Sequence, residues 1–296
     1  MKILGIYKNG NFTTCIYEDG TKIRTTEKDI FIPEFAENMD IKITNYCDAN
    51  CGFCHDGSTC SCKLGDILGA KFIDTLHPYQ EVALGGGDAT SQPDLIPFLR
   101  KLKEKKVIAN LTVNQKHFME KQELIEYLVN NKLIYGLGVS LINPTDEFIS
   151  LIQKYPNAVI HVINGVITPS DIEKLSNKNL KMLILGYKTL RRGENFLYSH
   201  SLEIAEKQSW LKENLSNLIP LFKVVSFDNL AIEQLEVQKL LSPEEWEEFY
   251  MGDDGTMTFY IDMVNQQFAK SSTADFNKRY TLLDNVDEMF RKVKEE

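Results

Sequence analysis

Apolar and polar residues alternate in two different ways along this chain. Up to residue 38 the apolar positions fall in short β-prone runs, broken at Asn9-Gly10 and Asp19-Gly20. These dipeptides favour the left-handed backbone of tight hairpin turns. Residues 1–38 are therefore expected to form a small β-meander, serving as a cap or as the cover of a sheet edge. From residue 39 onward, short apolar runs alternate with stretches of helical periodicity. Strands are expected at 40–46, 81–85, 107–114, 135–141, 158–164, 181–187, 221–227 and 256–262. Several are almost continuously apolar, the pattern of parallel strands covered on both faces. Between them, Leu95, Phe98, Leu99 and Leu102 recur at helical spacing behind Pro93, and Phe148, Leu151, Ile152 and Tyr155 repeat the arrangement. Ser170 with Glu173, and Ser242 with Glu245, have the spacing of a capping box, and Gly252 is positioned as a stop after the second.

Strand alternating with helix means βαβ units and a parallel sheet. Up to eight such units in 296 residues predict an α/β fold, a (β/α) barrel that is partial or near-complete, preceded by the meander. The last strand continues into Asn265-Gln266-Gln267 and a second β-prone run, which reads as a hairpin, and 284–296 reads as a surface helix. The organisation expected is thus a meander over 1–38, a barrel over 39–262 and a hairpin and helix cover over 263–296.

Charge narrows the partners. With 33 basic against 42 acidic side chains the formal net charge is −9, which disfavours strong non-specific binding to nucleic acid or anionic membrane. No apolar run approaches the roughly 20 residues that span a bilayer, and MKILGIYKNG lacks the apolar core of a secretion signal. A cytoplasmic protein is expected. There, cysteines point to metal or catalysis before disulfides, and five of the six lie between positions 47 and 62.

The central motif is Cys47-Asp-Ala-Asn-Cys51-Gly-Phe-Cys54, immediately after an expected strand. Functional loops of parallel α/β folds sit at the C-terminal ends of strands, so these thiols should face the barrel mouth. Three thiolates on a 4Fe–4S cluster leave one iron open to a ligand, whereas electron-transfer clusters ligate all four. Gly52 permits a tight loop and Phe53 can shield one face. The cysteines alone also admit a zinc knuckle, or a fully ligated cluster using Cys60 or Cys62 as fourth ligand. A second motif, Gly85-Gly86-Gly87-Asp88, closes the next expected strand, where glycines let a ligand approach the backbone and an acid can accept from an ammonium group.

With these spacings and in this order, the chain resembles the radical S-adenosylmethionine (SAM) superfamily. The resemblance covers roughly residues 39–190. It implies a 4Fe–4S cluster on Cys47, Cys51 and Cys54, with SAM chelated at the open iron. It also implies an external one-electron reductant of flavodoxin or ferredoxin type, and a 5′-deoxyadenosyl radical that abstracts hydrogen from a substrate. Gly86, Gly87 and Asp88 resemble the family's Gly-Gly-Glu-Pro segment, which meets the SAM amino group, with Asp88 in place of Glu and Ala89 in place of Pro. Asn114 and Ser140 close strands whose polar ends meet the SAM carboxylate or ribose in the family, while Asn164 and Tyr187 fall where adenine is flanked.

Lys188, Tyr260 and Asp262 are the candidates for substrate chemistry: Lys188 for an anionic group, Tyr260 and Asp262 as same-face neighbours on a strand. His55 is a candidate to tune the cluster or line the cavity. His161 is expected to be a core histidine, and Cys60 and Cys62 a surface loop. No cysteine follows residue 62, unlike the cysteine-rich C-terminal extension of many radical SAM peptide maturases. A peptide or small metabolite suits the acidic chain as substrate, with a nucleoside or nucleotide left open. The rival class is a non-catalytic iron–sulfur electron carrier or redox sensor, which would not bind SAM.

Overall fold

Two sheets divide the strands of the computed structural model, which describes residues 2–295. Strands β1 (Ile3–Asn9), β2 (Phe12–Tyr17) and β3 (Lys22–Thr26) form an antiparallel meander. It turns at Gly10 and Gly20, both with positive φ. The second sheet holds β4 (Asn38–Thr44), β5 (Glu81–Gly86), β6 (Ile108–Asn114), β7 (Gly136–Ser140), β8 (Ala158–Ile163), β9 (Lys181–Leu185), β10 (Val224–Phe227), β11 (Thr258–Asp262), β12 (Gln267–Ala269) and β13 (Tyr280–Thr281). Its order is β10-β9-β8-β7-β6-β5-β4-β11-β12-β13. The ladders from β10 across to β11 are parallel, and β12 and β13 add on antiparallel as the expected hairpin and its extension.

Consecutive strands from β4 to β10 lie side by side, and β11 returns to pair with β4. This is the order of an unrolled barrel. Among the described residues no ladder joins β10 to β11, so backbone hydrogen bonds do not close it.

The helices are α1 (Leu95–Glu104), α2 (Gln115–Glu120), α3 (Gln122–Asn130), α4 (Asp146–Ile152), α5 (Pro169–Leu175), α6 (Arg192–Leu218), α7 (Asn229–Leu235), α8 (Pro243–Phe249) and α9 (Val286–Lys294). Leu95, Phe98, Leu99 and Leu102 of α1 are buried, as their spacing requires. Ser242 and Glu245 form the expected capping box of α8, whose last residue is Phe249, three ahead of Gly252. In α5 the box is Thr168 with Asp171, not Ser170 with Glu173. Pro169 has no N–H to give and takes the first helical position, which makes the residue before it the cap. Helix α6 runs 27 residues and bends at His200, which has non-helical torsions.

The strand faces differ from the expectation of apolar cover on both sides. Met39, Ile41 and Ile43 on β4, Val82 and Leu84 on β5, and Leu111 and Val113 on β6 point outward into the helix-covered core. The alternate residues, among them Asp40, Lys42, Ala83, Gly85, Asn110 and Thr112, line a lumen of about 710 Å³. Small and polar inward side chains leave this space where large aliphatic layers would fill a barrel. The meander covers the end of the lumen at the strand starts: Tyr17, Glu18 and Asp19 border it, and Asn157 Nδ2 donates to the Glu18 carbonyl at 2.8 Å. Buried Glu37, just ahead of β4, accepts from Thr14 Oγ1 at 2.8 Å and from Arg24 Nε at 2.9 Å, tying β2 and β3 of the meander to the larger sheet. Among the described residues no helix is long and apolar enough to cross a membrane.

Candidate functional site

The chain leaves β4 at Thr44, loops out, and is stapled back onto its own exit. Asn45 N donates to Lys63 O at 2.9 Å, Cys47 N to Thr59 O at 3.1 Å, and Gly65 N to Ile43 O at 2.9 Å. Within this loop, Cys54 N donates to Cys51 O and Gly57 N to Cys54 O, two tight turns that bring the three cysteines round. All three thiols are free. With Phe53 and His55 they border one cavity of about 380 Å³ at the C-terminal ends of the parallel strands. Burial pushes the Cys47 and Cys51 thiols up, and proximity to neighbouring cysteines adds to it. Cationic metal would reverse this shift by stabilising the thiolates.

The glycine turn faces these cysteines. Gly87 N donates to Thr44 O at 2.8 Å and Asp88 N donates to Tyr46 O at 2.6 Å, so the end of β5 is laced to the segment that delivers Cys47. Gly86 has φ of +112°, and a Cβ on Gly87 would lie 2.1 Å from the Tyr46 carbonyl oxygen. Both positions need glycine for close backbone approach. Gly86 and Gly87 line the cavity.

Asp88 does not. Its carboxylate accepts from the hydroxyls of Thr90 and Ser91, from Thr90 N at 3.1 Å and from Lys121 Nζ at 2.8 Å. Burial opposes its charge, but these bonds, with nearby His117, prevail and hold the carboxyl below its ordinary range. Its oxygens are spent on the scaffold rather than left for a ligand.

Asn114 caps α2 through its Oδ1, and its Nδ2 donates to Cys51 Sγ at 3.7 Å. Ser140 and Tyr187 also border the cavity, whose far wall is the aliphatic group Val162, Ile163, Val166 and Ile167. Tyr187 N and O both bond to the side chain of Gln234, which also accepts from Asn164 Nδ2 at 3.0 Å. Asn164 is buried behind the wall, not in the lining, and its Oδ1 has no protein partner. Its place is to join β8 to the Tyr187 turn.

Sequence reasoning missed a charged clasp behind the cysteine loop. His117 Nε2 is 2.6 Å from Asp48 Oδ1, and His117 Nδ1 is 3.4 Å from Asp88 Oδ1. Lys116 meets Asp48 at 2.9 Å, and with His117 it holds the Asp48 carboxyl down to about 2. One buried imidazole thus spans the cysteine loop and the glycine turn. The available signal was positional: His117 lies three residues past Asn114, on the loop side of a parallel strand. Gln234, in α7, carried no such signal.

The remaining candidates divide. Lys188 lines both cavities and donates to Ser272 Oγ at 3.0 Å. Arg191 and Arg192 donate to the carbonyls of His55 and Ser58, clamping the cysteine loop rather than facing the lumen. Tyr260 borders the lumen with Arg279 5.6 Å from its ring centroid. Asp262 does not join it there: its carboxylate accepts from Val264 N, Asn265 N and Asn265 Nδ2, and forms the β11–β12 turn. His161 is no core histidine; it borders both cavities, in room left by Gly138. His55 also borders both, and burial together with repulsion from Lys188 pushes its imidazole down to about 4. Cys60 is exposed and Cys62 is bonded to Thr59 Oγ1; neither borders the cavity.

No protein-family model matches the chain, and no curated protein matches it in sequence. Among solved structures it is similar to SuiB of Streptococcus suis. Against SuiB bound to precursor peptide SuiA the identity is 15% and the TM-score 0.54, covering 81% of this chain and 60% of SuiB. Against SuiB bound to S-adenosylmethionine the values are 15% and 0.55, covering 88% and 64%. Against a third SuiB structure they are 13% and 0.56, covering 91% and 81%. The chain shares the SuiB fold, and in the first two comparisons it spans less than two thirds of the SuiB chain.

Proposed function

We propose that this chain is a radical SAM enzyme, with a 4Fe–4S cluster on Cys47, Cys51 and Cys54. The observation that carries the proposal is the convergence of three free thiols and the Gly86–Gly87 turn on one cavity at the C-terminal ends of parallel strands. A fold shared with a protein solved with SAM supports it. A cubane takes each thiolate on a different iron and can leave one iron open, which suits three thiols from one loop, whereas a structural zinc site takes four ligands.

The lining also fits SAM. The cavity volume lies in the range of small-molecule sites, apolar with a few converging polar groups. The aliphatic wall with Tyr187 offers a surface for adenine; Ser140, Asn114 and the backbone of Gly86 and Gly87 offer polar contacts near the cysteines. Asp88 and Asn164 act from behind, fixing the glycine turn and the Tyr187 turn. When bound and reduced by an external flavodoxin- or ferredoxin-like donor, the cluster supplies the electron that cleaves the sulfonium of SAM. Asn114 steadies Cys51, Phe53 covers the loop side, and the lumen excludes water from the substrate. Lys188 and Tyr260 face that lumen as substrate contacts, while Asp262 keeps its turn.

The substrate is a peptide or small metabolite. The peptide reading gains support from the likeness to SuiB with its precursor peptide. A reducing cytoplasm suits the free thiols. We read 1–38 as the cap, 39–262 as a partial barrel and 263–296 as its cover.

The test is anaerobic reconstitution with iron and sulfide, reduction, addition of SAM, and mass spectrometry for 5′-deoxyadenosine. Cluster-dependent product, abolished in Cys47→Ala, Cys51→Ala and Cys54→Ala, is expected. A fully loaded cluster with no affinity for SAM would overturn the proposal in favour of an electron carrier.

A further inference from the structure

The lumen beneath the cysteine cavity carries an uncompensated carboxylate. Asp40 projects inward from β4, and its side chain has no hydrogen bond and no ion pair among the described residues. Its place deep among lumen-lining atoms raises its pKa, although the side chain itself is open to the lumen. Other acids of the lumen are accounted for differently. Asp56 pairs with Lys42 at 2.8 Å. Asp228 caps α7 and accepts from Gly186 N and Ala231 N, both at 2.8 Å. Asp254 accepts from Asn229 Nδ2 at 2.7 Å. These last two are bonded by neutral donors, and both act electrostatically on Asp40. Against the three carboxylates stands the ammonium of Lys188, which also acts on Asp40 but forms no ion pair with it.

Asp40 is open to the lumen rather than sealed behind its wall, so a cationic group that enters the lumen can reach a carboxylate that no protein donor already holds. The surrounding charge is negative in excess. The lumen meets the cysteine cavity along Gly86, Thr112, Ser140, His161 and Lys188, which line both. A group held at Asp40 therefore sits in the same continuous space as the cavity assigned to SAM.

We infer that Asp40 is a specificity-determining residue that binds a cationic group of the substrate, a primary ammonium or a guanidinium, inside the lumen. This rests on the radical SAM reading only for the word substrate; the cation site itself is a property of the lumen. The chemistry has two sources, a lysine-like side chain within a peptide or a free amine.

The test is calorimetric titration of the full chain without iron or SAM. The probes are N-acetyl-lysine methylamide for the peptide source, cadaverine for the free amine, and N-acetyl-norleucine methylamide as the uncharged counterpart. At least one cationic probe is expected to bind, at least about 10-fold more tightly than the norleucine probe, and Asp40→Asn is expected to weaken it by at least about 10-fold, the weight of one charge-assisted hydrogen bond. Asn is isosteric and breaks no bond, because Asp40 has no protein partner, so the variant's melting temperature, measured alongside, should not fall. Binding of the lysine probe alone assigns the peptide source; binding of cadaverine alone assigns the free amine. Equal cation binding in Asp40→Asn, equal binding of the norleucine probe, or no binding by either cation overturns the inference. Cation binding in a protein that fails to cleave SAM would sink the enzymatic reading and leave the site standing.

Discussion

Gly87→Ala should damage the site through the backbone. The added Cβ would lie 2.1 Å from the Tyr46 carbonyl oxygen and 2.8 Å from its carbon, atoms that cannot swing aside as a side-chain tip can. Relief requires the end of β5 to move away from the exit of β4. That motion breaks Gly87 N to Thr44 O and Asp88 N to Tyr46 O. Two backbone bonds at about 1 kcal/mol each, with about 1–2 kcal/mol of residual overpacking strain, give a loss of about 3–4 kcal/mol. For a chain of this length that corresponds to a fall in melting temperature of about 5 °C. Gly85→Ala is the control: its Cβ would meet Thr112 Cβ at 3.8 Å, an ordinary contact, so the change should be neutral within about 0.5 kcal/mol. The assays are thermal melting of both variants, then iron and sulfide content after anaerobic reconstitution. Because Cys47 follows Tyr46 directly, Gly87→Ala should also retain less cluster. A Gly87→Ala protein that melts within 1 °C of the wild type would show that the glycine turn does not pack on the cysteine strand, and would refute the site geometry.

Two further outcomes follow from buried ionisable groups. Glu37 loses solvation on burial, but Arg24, Lys22 and Thr14 outweigh this and lower its pKa. Its contribution is therefore complete above the unfolded carboxylate value of about 4.3 and is lost as pH falls through the lower folded value. Glu37→Gln should cost about 3 kcal/mol at pH 7, in line with breaking a buried pair, and should melt with a shallower loss between pH 5 and 3; parallel pH profiles would sink the assignment. His161 is pushed down to about 4 by burial alone. It should stay neutral at pH 7, and stability should fall from about pH 6.5 to 4 as the unfolded chain takes up the proton that the folded chain refuses. A titration of the imidazole resonances with a midpoint near 6.5 would mean that the lumen wall is wet there.

Local pattern carried much of this protein. Strand positions, the first hairpin turns, the α1 face and the α8 cap are short-range properties, decided by side-chain periodicity and turn chemistry within a few residues. The Cys47–Cys54 spacing also lay open, because three thiols on one loop form a group that needs no partner from elsewhere. Asp88 shows the limit. Its sequence neighbours mark it as a ligand for an amino group, but Lys121, 33 residues away, takes an oxygen that reading needed. Asp262 fails likewise, for a nearer reason: its own turn consumes it.

What the sequence by itself determined was which residues are strand, which are helix, and which loop carries the thiols. Tertiary structure alone decided which strand face is core and which is lumen, because an inward Asp40 and an outward Ile41 differ only in the neighbours that the assembled sheet and helices bring to them. It also decided that His117 clasps two loops, that Gln234 holds the Tyr187 turn, and that β11 returns to β4 while leaving β10 unpaired by it. These depend on contacts between segments far apart in the chain, where hydrogen-bond and charge complementarity, rather than local periodicity, sets the outcome.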